Sequence, residues 1–303
     1  MDTSQMNPPK AATTPTWAKV ETLDKSNTLL ILGKPKGTWD EGVYLAHEYI
    51  SGWYSSPDLK VQSSSRQTAS GNYGHRNNEI LYESRTVIMN LICQGGRRLA
   101  IDYAQLLSEF MGQIVKLTVH DYDHEYWARG YCSLSFESAH YEDAIPGTLT
   151  VVCDDPFRYG EYRQGYANSA PDGDGGLVFD SAAPHGLHFP ISFGDVELAS
   201  TVCSVSNAGT HTAYPTITFN GGGSQDIRIA TPDGQQLRFQ GNSALRPLVF
   251  DCRNHRVSCQ GVDVTRHVTS KYWPVIKPGK TQGFSIMSTG GGYIQIESYD
   301  TYL

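Results

Sequence analysis

The stretch LTVVCDDPFRYG, Leu149–Gly160, begins as an apolar strand and stops at two aspartates and a proline. Proline lacks the backbone N–H that a continuing strand ladder needs, and it restricts the residue before it. The following sequence YRQGYANSAPDGDGG, Tyr162–Gly176, is rich in glycine and polar residues, which is typical of a linker or a long surface loop. The stretch therefore predicts a boundary between two β-rich domains and does not resemble an active site.

The composition indicates a mainly β chain of two domains. A length of 303 residues exceeds that of most single domains. Only 18% of the residues are charged, against about 25% in average soluble proteins, while 30 glycines and 18 tyrosines suit turns and strands. The net charge of −7 argues against a nucleic-acid-binding surface, because phosphate contacts need clustered lysine and arginine.

The N-terminus and the cysteines indicate the compartment. The first twenty residues hold no uninterrupted apolar run, so they predict neither a secretory signal nor a membrane span. We expect residues 1–16 to form a mobile arm. The six cysteines are scattered and none has the CxxC spacing of a metal site, which favours reduced, buried thiols and synthesis in a reducing cytoplasm.

Apolar runs bounded by turn residues predict strands in both halves. In the first half they are Val43–Tyr49, Leu59–Gln62, Thr86–Cys93, Val115–His120, Tyr131–Phe136 and Leu149–Cys153. In the second half they are Phe189–Phe193, Val202–Val205, Thr216–Phe219, Asp226–Ile229, Leu237–Phe239, Leu248–Asp251, Phe284–Met287 and Tyr293–Glu297. The even spacing of the second set predicts a β-sandwich.

One helix is predicted in the first half, over IDYAQLLSEFMG. Asp102 and Gln105 have the spacing of a capping box, and Gly112 stands where a left-handed residue ends a helix. Leu106, Leu107, Phe110 and Met111 are expected to share the face that packs on a sheet.

The segment Ser63–Asn78 has almost no apolar residue and lies between two predicted strands. It fits a flexible loop or the tip of a long protruding hairpin. Loops of this length without structure of their own are uncommon unless they bind or close over something, which favours a functional role over a simple turn.

Three sets of residues bear on chemistry, and each favours a structural interpretation. VHDYDHEYW, His120–Glu125 with its flanks, holds metal-ligand types but is better explained as the polar tip of a β-hairpin. The adjacent Asp154 and Asp155 would point to opposite sides of an extended chain, so they do not form the facing carboxylates of a glycosidase. Trp273 could stack on a sugar, although a core position is favoured. We therefore predict no enzyme, no metal and no cofactor.

Five stretches, in order along the chain, are similar to the distal tail protein of long, non-contractile-tailed bacteriophages. They are LTVVCDDPFRYG, VSNAGTHTAYPTITFNG, LVFDCRNHRVSCQGVDV, YWPVIKPGK and the terminal YIQIESYDTYL. The resemblance implies an N-terminal domain, residues 1–158, that forms a hexameric ring with hairpin arms embracing its neighbours. It implies a galectin-like β-sandwich over residues 159–292, with the last strand, about 293–303, able to return to the first domain.

The function implied by the resemblance is that of a structural virion protein in the tail tip, or baseplate. Its partners would be its own copies, the tail tube protein, the tail-tip hub and receptor-binding proteins, with DNA passing through the ring without specific binding. On the arm, Arg66, Tyr73, His75 and Arg76 are the expected interface residues. The alternative is a glycan-binding tail module that contacts the host surface, with Trp273 as the sugar contact. A cell-wall enzyme is the third hypothesis.

Overall fold

The computed structural model describes residues 16–33, 41–67, 73–136, 144–169, 201–221, 226–241, 247–289 and 291–303. For residues 47–49, 59–67, 73–81 and 107 it describes the main chain. The expected N-terminal arm up to residue 15, the predicted strand Phe189–Phe193 and residues 170–176 of the predicted linker lie outside these ranges. Contacts divide the chain into two compact units, Met1–Gly160 with Leu303, and Glu161–Tyr302.

The first unit is built on seven strands that form a closed sheet. The strand order is β8-β7-β1-β2-β3-β6-β9, and β9 pairs with β8 again to close the ring. Every pairing is antiparallel except β2 with β3. The strands are β1 (Trp17–Thr22), β2 (Thr28–Leu32), β3 (Gly42–Ser51), β6 (Arg85–Gln94), β7 (Val115–Asp121), β8 (His124–Phe136) and β9 (Ala144–Cys153).

Alternation along these strands explains the closed sheet. In β6 and β9 every second residue is buried, which is the period-2 pattern of a strand with one face on a core. The inward side chains fill one apolar cluster, in which Leu29, Met89, Leu117 and Leu149 are almost fully buried. A sheet that closes on itself leaves no unpaired edge, so the barrel needs no covering element at its sides.

A single α-helix, α1 (Gly96–Phe110), packs on this core among the described residues. The predicted capping box is wrong, because the helix begins at Gly96 and places Asp102 and Gln105 in its interior. The helix follows Gly95, whose φ of 123° is a backbone conformation that glycine adopts readily. No side chain caps the N-terminus of the helix.

The C-terminal end of α1 is partly as predicted. Gly112 has the predicted left-handed backbone, with φ of 77°. Phe110 is fully buried and Leu106 packs on the core, whereas Met111 is 61% exposed and does not share their face. It adopts an extended backbone at the C-cap, which turns it away from the helical face.

The second unit contains two sheets that share one core. One has the order β17-β16-β15-β12-β19-β10 and the other the order β11-β18-β13-β14. Their strands are β10 (Arg158–Asn168), β11 (Val202–Asn207), β12 (Thr216–Asn220), β13 (Asp226–Ala230), β14 (Gln236–Gln240), β15 (Leu248–Asp251), β16 (Arg256–Cys259), β17 (Val262–Asp263), β18 (Lys280–Ser288) and β19 (Tyr293–Tyr302). Phe219 and Phe250 of the first sheet and Phe284 of the second belong to the same buried cluster, as in a β-sandwich.

One expectation about this region differs from the structure. The predicted linker is a strand as far as Asn168, because β10 pairs with β19 and Tyr162 contacts Tyr299, with ring centroids 5.3 Å apart. In the second unit β19 pairs with β12, and the expectation that the last strand, about 293–303, is able to return to the first domain stays a prediction. Only Leu303 groups with the first unit.

The mainly β fold class is confirmed, with a closed sheet, a second pair of sheets and one helix in the described part of the chain. The sequence analysis missed β1 and β2, which lie between the expected N-terminal arm and the first predicted strand. Among the described residues no helix is long and apolar enough to cross a membrane.

Candidate assembly site

The segment that the sequence left open between loop and hairpin is a two-stranded hairpin. Strands β4 (Leu59–Gln67) and β5 (Tyr73–Tyr82) pair antiparallel, with one register shift between Gln62 and Ser64. Within the described chain these strands form a sheet of their own and pair with no strand of the barrel. A lone two-stranded hairpin is marginally stable in water, so this one needs support at its base or from another surface.

The four expected interface residues lie together at the far end of this hairpin. In the strand register Gln67 faces Tyr73, Arg66 faces Gly74, Ser65 faces His75 and Ser64 faces Arg76. The structure therefore brings Arg66, Tyr73, His75 and Arg76 onto four consecutive rungs. Their role in an interface stays a prediction.

The base of the hairpin is held by the turn in LTVVCDDPFRYG. The Glu83 amide donates to the carbonyl of Asp58 at 2.9 Å, which closes the two strands. The Tyr82 ring meets the Phe157 ring edge-on, with centroids 5.8 Å apart. The amide of Phe157 in turn donates to Oδ1 of Asp155 at 3.2 Å, so a local side-chain turn fixes the aromatic contact.

Arg85, the first residue of β6, connects this turn to residues 52–55, the loop that precedes the hairpin. Its Nε donates to the Pro156 carbonyl at 2.8 Å, and its Nη1 donates to the carbonyls of Gly52, Trp53 and Ser55 at 2.8, 2.9 and 2.7 Å. The side chain is almost fully buried, with 2% of the residue exposed. One guanidinium thus donates to four backbone carbonyls, three in the loop before the hairpin and one in the turn after β9.

Arg158 lies close by and is surrounded by aromatic rings. Its guanidinium carbon is 5.8, 5.4 and 5.6 Å from the ring centroids of Trp53, Tyr54 and Tyr126. Its Nη2 donates to the main-chain oxygen of Leu303 at 2.7 Å. Cations over aromatic faces are attracted by the ring quadrupole, and the attraction is stronger when water is excluded.

Burial governs the electrostatics of both arginines. Desolvation is the larger cause that lowers the pKa of Arg85 to about 10, and the positive charge of Arg158 adds to it. Desolvation also lowers the pKa of Arg158, against the opposing effect of Tyr54. Sequence reasoning missed both residues, because each stands at the first position of a strand and no local pattern marks it as buried.

The other residues considered for chemistry have structural roles. The predicted hairpin is confirmed, because His120 pairs with Glu125 and Asp121 with His124 across a tight turn at Tyr122, whose φ is 55°. Among the described residues no group of three or more His, Cys, Asp or Glu could hold a metal.

Trp273 lies in the second unit. Its ring stacks on His255 with centroids 5.2 Å apart, and it packs against the second core. This arrangement agrees with the favoured core interpretation. A sugar contact at Trp273 stays a prediction.

The cysteines are free thiols in the structure. Four are buried, namely Cys93, Cys132, Cys153 and Cys252, and the other two are half-buried. Burial raises the pKa of Cys153 to about 12 and that of Cys203 to about 11, so both thiols stay protonated at neutral pH. The sequence predicted reduced, buried thiols, and four of the six thiols are buried.

Comparisons with known proteins identify the fold. No protein-family model matches the chain, and no curated protein matches it. Among solved structures, the Dit protein of phage SPP1, described as a paradigm of the hub adsorption apparatus in Gram-positive infecting phages, has a TM-score of 0.54 and 16% identity, covering 86% of this chain and 94% of that one.

Two structures of the phage p2 baseplate in its activated conformation are more distant. The structure with Sr has a TM-score of 0.44 at 12% identity, and the structure with Ca has 0.41 at 11% identity. Each match covers 94% of this chain and 98% of the other. At 16% identity the SPP1 match shows the fold: the chain shares the fold of a phage distal tail protein, as the sequence motifs indicated.

Proposed function

We propose that this chain is a structural protein of a phage tail tip, forming a homo-hexameric ring that joins the tail tube to the host-recognition apparatus. The observation that carries the proposal is the shared fold with SPP1 Dit over most of both chains. The same likeness supports the proposed placement in the virion tail and the proposed structural, non-catalytic role. The protein would work through shape-complementary interfaces with other tail proteins and without a cofactor.

The β4–β5 hairpin supports a role in ring formation. A ring requires each subunit to offer two different surfaces, because a head-to-tail contact repeats around the axis. The hairpin is paired only with itself within the described chain, and its base is fixed by Arg85 and the Asp155–Phe157 turn. A projecting element with a rigid base is suited to reach a neighbouring subunit.

The charge of the hairpin fits an acidic neighbour. Its strands carry Lys60, Arg66 and Arg76 against Glu79, whereas the whole chain has a net charge of −7. A basic arm on an acidic chain is attracted to other copies of that chain. The acidic balance also suits a ring through which DNA passes, since like charge discourages sticking.

The first test is the molar mass of the purified protein by light scattering behind a sizing column. We expect a species near 200 kDa, about six times the 33.4 kDa of one chain. Imaging of that species should show a closed ring. A monomer that stays monomeric at all concentrations, and also with the tail tube protein added, would contradict the proposal.

The second test removes the distal end of the arm. Ser64 and Arg76 face each other in the register, so replacing Ser64–Arg76 by Asn-Gly closes the remaining strands with a two-residue turn. We expect the ring to be lost while the circular dichroism spectrum and the melting temperature stay close to those of the wild type. A ring that persists in this variant would remove the arm from the interface.

A further inference from the structure

Three adjacent strands of the first unit present an outward face without a charged side chain. In the register, Thr86, Val152 and Tyr131 form one row across β6, β9 and β8, and Ile88, Thr150 and Ser133 form the next. The full face consists of Thr86, Ile88, Asn90, Ile92 and Gln94 on β6, Ala144, Pro146, Thr148, Thr150 and Val152 on β9, and Tyr131, Ser133 and Ser135 on β8.

The alternating neighbours show that this face points away from the core. Val87, Val151 and Cys132 occupy the row between the first two outward rows, and all three are buried. On the outward side, by contrast, large apolar groups are open to solvent. Ile88 is 40% exposed, Tyr131 43% and Val152 38%.

Charged side chains lie on the outward side of other strands of the same barrel. On β1, Lys19 pairs with Glu21 at 2.5 Å, and on β7 and β8 the cations of Lys116 and Arg129 lie over the ring of Trp127. Arg129 is the outward residue that precedes Tyr131, so charge resumes at the border of the uncharged face. At the chain's overall charged fraction of 18%, thirteen positions would carry about two charged residues, and exposed positions usually carry more.

We propose that this β6–β9–β8 face is the surface through which one copy of the chain contacts the next. The inference rests on the proposed function, which requires the copies to associate, and it names where they meet. In a ring the contact is heterologous, so the face receives a different surface of the neighbour.

The absence of charged side chains on this face favours a second copy of the chain as its binding partner. Copies of a chain with net charge −7 repel each other, and the repulsion is smallest where the meeting surface carries no charge of its own. Interface cores are depleted in charged residues because a buried, unpaired charge is costly. The face combines exposed apolar groups with short hydroxyl side chains, which lose little conformational entropy when covered.

The experiment places two like charges in one row of the face. The double variant Ile88→Glu, Ser133→Glu puts one glutamate on each side of Thr150. Ile88 and Ser133 are both exposed, so neither new carboxylate is buried in the isolated chain. The control places two glutamates at Val202 and Met287 of the second unit, which are 51% and 48% exposed. Light scattering over a concentration series measures the oligomer, and circular dichroism checks folding.

We expect the face variant to associate at least tenfold more weakly than the wild type, and the control to associate as the wild type does. An oligomer unchanged in the folded face variant would overturn the inference and leave the proposed ring standing. A wild type that never self-associates would contradict both. If the double variant does not fold, Ser133→Glu alone decides by the same comparison, because that serine is exposed.

Discussion

Arg85 of the first unit and the pair Arg228 and Arg238 of the second unit are held in opposite ways. In the first unit Arg85 is almost completely buried and bonded to four backbone carbonyls. In the second unit Arg228 and Arg238 keep 41% and 37% of their side chains exposed, and both bind the carboxylate of Asp226. The four partners of Arg85 are uncharged carbonyls, yet they join parts of the chain that are farther apart in sequence than Asp226 is from its two arginines.

The difference shows that burial, more than the number of ion pairs, decides what a cation contributes. An exposed pair exchanges solvation by water for a weak Coulomb attraction and adds little to stability. A buried guanidinium cannot return to water, and the carbonyls that it satisfies would be left without donors if it were removed. Substitutions of Arg85, Arg158 and Asp226 test this contrast.

Arg85→Met should be the most damaging of these substitutions. It keeps the apolar stem but leaves four buried or half-buried carbonyls without their donor, and we expect a loss of about 3–5 kcal/mol in the free energy of unfolding. Guanidinium chloride denaturation followed by tryptophan fluorescence measures it. Arg85→Lys is the control: it keeps the charge, but one ammonium cannot serve both loops, so an intermediate loss is expected. A loss below about 1 kcal/mol in Arg85→Met would refute the connecting role of Arg85.

Arg158→Met should cost less, about 1–2 kcal/mol, because the side chain loses three cation–aromatic contacts and one hydrogen bond. Part of this loss is offset, since the charge of Arg158 disfavours the charged form of Arg85. Each single substitution already relieves this repulsion, whereas the double variant relieves it only once. The double variant with Arg85→Met should therefore be less stable than the sum of the single losses predicts. Strict additivity in a double-mutant cycle would show that the two cations do not interact.

Asp226→Asn should have the smallest effect, below about 1 kcal/mol at neutral pH, because its arginine partners are more than a third exposed. Hydrogen bonds from Arg238 and Arg228 lower the pKa of Asp226 from 3.8 to about 2. A lowered pKa stabilises the fold at pH values above 4, and the contribution is lost as the pH falls from about 4 to 2. The melting temperatures of the variant and the wild type should thus converge over this range and differ by a constant amount above it.

Strands with one buried face were the easiest elements to predict from the sequence. The alternation in Thr86–Cys93 and Leu149–Cys153 predicted β6 and β9, because a period of 2 reports the core face directly. Prediction from the sequence failed for β10, whose polar composition was interpreted as a linker, because pairing with β19 and tyrosine packing stabilise a strand that has little apolar alternation. It also failed at the start of α1, where Gly95 and Gly96 replace the side-chain cap that was expected at Asp102.

By itself, the sequence determined the β class, the β-hairpin with its polar tip in VHDYDHEYW and the family resemblance, because each depends on neighbouring residues and their backbone preferences. Only the tertiary structure decided that Arg85 and Arg158 lie together and that β6, β9 and β8 join into an uncharged face. Those arrangements depend on which strands pair and in which register, and pairing brings together residues that are distant in the chain and leave no local pattern.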